Sequence, residues 1–207
     1  SPRETKISTR EVFKYDENAV FPRTINETLE PYIESGKMDL VDYGFRVLLN
    51  LTADFSGVDR PEKTKKETEI LLGLLKIFAY GATLHHSTRD HEEVKNEVRN
   101  ALKSFDEQFL KPSIKRRKNL IKKQAYEDLP SDILTVLLMN EDDLNLPYDV
   151  LQREIAFYLL AGAQTSIHSL VHVFHEIHDW IKKNPEKKIK IKDDPIFVQK
   201  CFLESTR

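Results

Sequence analysis

No proline interrupts the sequence from Val150 to Lys183, and apolar residues recur there at three- and four-residue steps. That period belongs to an α-helix; a strand would alternate apolar and polar side chains. At 1.5 Å per residue, roughly thirty residues form a rod of about 45 Å, enough to span a domain. The rest of the chain has to be organised around that rod.

The same helical period runs through the remaining sequence, so the expected fold class is mainly α. Asp16 to Glu34 reads as one helix, with Pro22 early and Gly36 just past its end. A second runs from Leu40 to Phe55 and stops at Ser56-Gly57, and a third covers Lys65 to Leu84. Gly73 and Gly81 inside the third point to close packing against a neighbour or a ligand. A fourth, long helix follows Thr88-Arg89-Asp90 and ends in the basic run "KRRKNLIKK", read as a solvated helix end whose charge suits the dipole. "SDILTVLLMNEDD" gives a short helix capped by Ser131 or Asp132, and Asn145 and Pro147 open the central one.

Charge narrows the choice of partners. Lys and Arg number 32 against 34 Asp and Glu, so there is no overall electrostatic reason for nucleic acid or an anionic membrane surface. No signal peptide or membrane-length apolar run is visible, and a cytoplasmic location without a membrane anchor is the expectation. Cys201 is the sole cysteine, which excludes an internal disulfide framework and a multi-cysteine metal site. Inside a helix its default role is a small apolar side chain.

The central rod contains "AFYLLAGAQTSIHSLVHVFHEIH". Gly costs about 1 kcal/mol relative to Ala inside a helix, so Gly162 asks for a reason. Ala161, Gln164, Thr165, His168 and His172 fall within one arc of the helical wheel, while Leu170, Val173, Phe174, Ile177 and Ile181 take the far side. The histidines at i and i+4 could chelate a metal. Closed zinc sites, however, recruit ligands from more than one element, so a polar, partly exposed face is the expected reading.

"Ala161-Gly162-Ala163-Gln164-Thr165-Ser166" resembles the oxygen-activation signature of the cytochrome P-450 haem-thiolate monooxygenases. Flanking segments resemble that superfamily in the same order. "MDLVDYGFRVLLNLTADFSGVDRP" is similar to a helix of the soluble, bacterial-type members, and "FLKPSIKRRK" with "LPSDILTVLLMNEDD" to the end of their lid and the short helix after it. "DPIFVQKCFLESTR" resembles the Glu-x-x-Arg helix, here Glu204 and Arg207, and "SPRETKISTREVFKYDENAVFPRTI" the segment after the propionate-contacting helix.

The resemblance implies the central helical core of that fold, with a long bent central helix over the haem. Residues 1–207 would be one incomplete domain, with lid helices at 65–123 and the oxygen-activation helix at 146–183. The N-terminal sheet region and the cysteine loop would lie outside, so the iron ligand is not expected in this chain and Cys201 is not that residue. It further implies haem as cofactor, a small lipophilic or aromatic organic substrate, and electrons from a ferredoxin- or flavodoxin-type partner with its reductase. Ala161, Gly162 and Thr165 would face the haem and O₂, with Gln164 beside them and Glu204 and Arg207 structural. A hydroxyl both donates and accepts, which suits Thr165 to proton delivery; its bland alternative is a bond back to the Ala161 carbonyl. Gln164 departs from the family's usual acid, so proton delivery would run through water or another carboxylate. Two other classes stay open: an inactive helical binding or interaction module of the same fold, and a histidine-row metal protein.

Overall fold

Several helices begin where a short polar side chain meets otherwise unbonded backbone N–H groups. In the computed structural model, which describes residues 20–205, Asp39 accepts from the amides of Val41 and Asp42, Thr64 from Glu67, Asp90 from Glu93 and Asp132 from Thr135. Each bond satisfies a donor that has no partner inside its own helix. Of the two expected caps for the short helix, Asp132 is the one used.

The helices are α1 (Phe21–Ser35), α2 (Leu40–Ser56), α3 (Lys65–Ala82), α4 (His91–Phe105), α5 (Lys111–Lys122), α6 (Ile133–Met139), α7 (Glu141–Leu144), α8 (Tyr148–Lys183), α9 (Lys188–Asp193) and α10 (Pro195–Ser205). No strand occurs among the described residues. None of their helices is long and apolar enough to cross a membrane. The third helix ends at Ala82, and Leu84 joins a 3₁₀ turn, Leu84–His86. The expected helix start at Asp16 lies outside the described residues.

Helix α8 is the expected rod: 36 residues, about 54 Å long. Helix α2 lies against it in the opposite direction. Near the start of α2, a Cβ on Gly44 would sit 3.5 Å from Leu170, and eight residues later Thr52 meets Gly162, eight residues back along α8. Around this pair Leu49, Leu71, Leu75, Phe78, Phe105, Leu134, Ile155, Leu159 and Ile167 form one buried core, the main source of stability in a bundle of amphipathic helices. At the far end α10 covers the last turns of α8 through Trp180 and Phe197, whose ring centroids are 5.1 Å apart.

Two sequence expectations change here. The fourth helix is not continuous into the basic run: a π turn, Asp106–Leu110, separates α4 from α5. Within that run Arg117 is 1% exposed, so the solvated reading fails for its central residue. Five guanidinium N–H groups cannot be buried without acceptors. Asp132, Asp59, the Thr135 hydroxyl and the Ser113 carbonyl supply them, with Nη2 to Asp132 Oδ2 at 2.5 Å. Arg117 thereby joins α5 to α6 and to the loop after α2.

Candidate functional site

The Ala161–Ser166 segment occupies the middle of α8, and helical geometry divides its side chains between two directions. Ala163 and Ile167 are buried in the core. Thr165 is exposed on the opposite side, Ala161 and Gln164 are half-buried beside it, and His168, His172 and His175 continue the outward face. The structure therefore keeps Ala161, Gln164, Thr165, His168 and His172 on one face, turned away from the helical core.

Gly162 has a packing reason. A Cβ at this position would lie 2.6 Å from Thr52 Cγ2, and Thr52 is itself pinned by its hydroxyl bond to the Leu48 carbonyl at 2.7 Å. Only hydrogen lets α2 approach this closely. Helix α8 is α-helical throughout, with no π or 3₁₀ step at Gly162 to mark the expected bend. The Thr165 hydroxyl donates to the Ala161 carbonyl at 2.8 Å, the local bond that competes with a role in proton delivery.

Beside this face an apolar cleft of about 450 Å³ opens between α3, α4 and α8, lined in part by Phe78, Leu84, Val98, Leu102, Phe157 and Leu160. Phe157 stands four residues before Ala161, on the same side of the helix. Along α8 the lining of the cleft ends at Leu160, one residue before Ala161. Gly81 shapes its wall: a Cβ there would be 2.7 Å from Val98 Cγ2, so the glycine lets α3 and α4 close together. Gly73, expected to serve the same purpose, has nothing within 4 Å of its Cβ position.

The wide π turn anchors this cleft to the start of α8. Asp106, 7% exposed, accepts from the Tyr148 hydroxyl and pairs with Lys111 at 2.8 Å. Burial, reinforced by the bond to Asp106, pushes the Tyr148 hydroxyl well above the usual tyrosine range, so it remains a donor. Gln152 donates to the Leu102 carbonyl at 3.0 Å, one turn before the π turn. Sequence reasoning missed Asp106, Tyr148, Gln152 and Thr52. An aspartate, a tyrosine, a glutamine and a threonine carry no periodic signal, and their partners are 42, 42, 50 and 110 residues away by the numbering.

The histidine row is exposed, and the His168 and Phe45 rings meet in a T-shaped arrangement at 6.5 Å between centroids. Among the described residues no three His, Cys, Asp or Glu side chains gather as metal ligands. Cys201 is half-buried on α10, in a cleft it shares with Glu176, Ile177 and Trp180. Glu176 is eleven residues beyond Thr165, about 16 Å along α8. Arg207, the expected partner of Glu204, lies outside the described residues. Comparison of the sequence with protein-family models finds no match, and comparison with curated proteins finds none.

Proposed function

We propose that this chain is the central helical part of a haem-thiolate monooxygenase of the cytochrome P-450 type, oxidising a small lipophilic organic molecule with O₂ and electrons from a ferredoxin- or flavodoxin-type partner. One observation carries the reading. The Ala161–Thr165 face points out of the core, and an apolar cleft ends beside it.

The residues fit the group. A flat apolar macrocycle needs a ledge of small side chains, and Ala161 and Gly162 provide one without disturbing Ala163 or Ile167, which face the core. Bound haem would supply the activation of O₂ and the cleavage of its O–O bond. Cys201 stands on α10 beside Glu176, about 16 Å along α8 from Thr165, so the proposal does not use it as the thiolate ligand. Thr165 Oγ1 holds a proton that now bonds the Ala161 carbonyl; rotation about χ1 turns the same proton outward. Gln164 contributes an amide that orients water and keeps its protons near neutral pH. Phe157 and Leu160 exclude water from the substrate side and favour a lipophilic ligand.

Thr165→Ala is expected to lower product formation on the order of 10²-fold, the usual scale of a lost proton-delivery group, with substrate affinity unchanged. Thr165→Ser keeps the hydroxyl and should retain most of the rate. Equal product formation by the wild type and Thr165→Ala would remove Thr165 from the chemistry. A second reading, an inactive binding module of the same fold, draws on the unbroken α8 and the amide at Gln164. A folded protein that takes up no haem would select it.

A further inference from the structure

The apolar cleft between α3, α4 and α8 is bordered by charges of one sign. Its lining includes three cations, Lys95, Arg99 and Arg153, and no carboxylate. The chain as a whole carries slightly more acids than bases, so a lining of this kind is a local arrangement. Helical spacing turns the three toward the cleft. Lys95 and Arg99 stand seven and three residues before Leu102 on α4, and Arg153 stands four and seven residues before Phe157 and Leu160 on α8, so each shares a helix face with apolar lining residues. Gln152 bonds the Leu102 carbonyl, which puts Arg99 and Arg153 within about one turn of the same contact between the two helices.

These cations are accessible. Arg99 is exposed and donates to a neutral group, the Asn96 amide oxygen, at 2.6 Å. Arg153 pairs with Asp149 at 2.6 Å and Lys95 with Glu92 at 2.7 Å, but every side chain in these two pairs is between 46% and 69% exposed. Exposed pairs of that kind are weak and exchange readily with water, so either cation turns to a ligand at little cost. The apolar wall beside them is also uncovered, with Phe157 58% exposed. A large aromatic left in water among further apolar side chains is a surface that a lipophilic body covers.

An apolar slot of about 450 Å³ bordered by cations fits a ligand that is apolar along its length and anionic at one end. We propose that the cleft binds a single-chain amphipathic carboxylate, a medium-chain fatty acid, with its carboxylate at Arg99 and Arg153 and its chain running along α8 to Leu160. The planar guanidinium forks suit a carboxylate, and their aliphatic stems extend the apolar wall. Arg153 precedes Leu160 by seven residues, about 10 Å along the helix, a span that a chain of medium length covers. That this ligand is the substrate rests on the monooxygenase reading, in which the chain end farthest from the carboxylate lies next to Ala161; that it binds does not.

The test is calorimetric titration of the full-length protein with decanoate and with decylammonium, probes of equal chain length and opposite charge, each below its micelle-forming concentration. Decanoate is expected to bind saturably near one equivalent and about fivefold or more tightly than decylammonium, and Arg99→Gln and Arg153→Gln should each cut that ratio about two- to fivefold. Both side chains are exposed, so the variants should keep the helical circular dichroism of the wild type. Added salt should narrow the ratio as it screens the rim charges. Absence of saturable decanoate binding, equal binding of the two probes, or an unchanged ratio in both variants would overturn the proposal. So would binding to phosphatidylglycerol vesicles without binding to monomeric decanoate, which would assign the cations to a membrane surface. The titration needs no haem, so the two readings fail separately: a protein that binds decanoate and takes up no haem keeps the site and loses the monooxygenase, and a haem protein that ignores decanoate does the reverse.

Discussion

Replacing Arg117 with methionine is expected to lower the unfolding free energy by about 3–5 kcal/mol, the usual effect of removing one partner from a buried ion pair. The methionine fills much of the volume, so the loss comes from the groups left behind. Asp132, with its side chain 2% exposed, would be left buried without the guanidinium that now lies 2.5 Å away. Asp59 would fare better because Arg116 also reaches it, at 2.7 Å. Urea unfolding followed by circular dichroism measures the change. A shift under 1 kcal/mol would mean that the pair contributes little beyond its own desolvation. The double variant Arg117→Met with Asp132→Leu should recover part of the loss, since removing both charges leaves neither stranded.

Gly57→Ala should have the next largest effect, for two reasons that act together. Gly57 closes α2 at φ +85°, and a left-handed conformation costs a residue with a Cβ about 1–2 kcal/mol. The new Cβ would also stand 2.5 Å from both Asp132 Oδ1 and Leu134 Cβ. Overpacking of that kind costs about 1–3 kcal/mol. Leu134 is fully buried and cannot swing away, and Asp132 is held by Arg117 and by the Thr135 amide. The same urea unfolding measures the loss. Because Gly57 and Arg117 both act on Asp132, the double variant should lose less than the sum of the single losses. Strict additivity would show that the two contacts are independent.

Arg117 also shows where reading the sequence failed. A run such as "KRRKNLIKK" looks solvated because burial of one member depends on acceptors from distant positions, here Asp59 and Asp132. Composition and helix-end polarity explain the other charges of the run and conceal this one. The π turn at Asp106 was hidden for a similar reason: one inserted residue leaves the local apolar period nearly intact. Elements governed by local rules were legible. Gly57 ends α2, Asp132 caps α6, Pro147 opens α8, and the length of α8 follows from its unbroken period.

The candidate site was legible in part. The shared face of Ala161, Gln164 and Thr165 follows from helical spacing alone, and the structure keeps it outward. The contact of Gly162 with Thr52 is a tertiary one that no spacing within α8 reveals. The apolar cleft needed three helices in place, which no local pattern reveals.

The most direct test of the proposed function is the carbon monoxide difference spectrum of the dithionite-reduced, full-length protein. The proposal predicts haem uptake and the strongly red-shifted Soret band of thiolate-ligated ferrous haem. A folded, helical protein without haem, or a Soret band of the imidazole-ligated type, would contradict it.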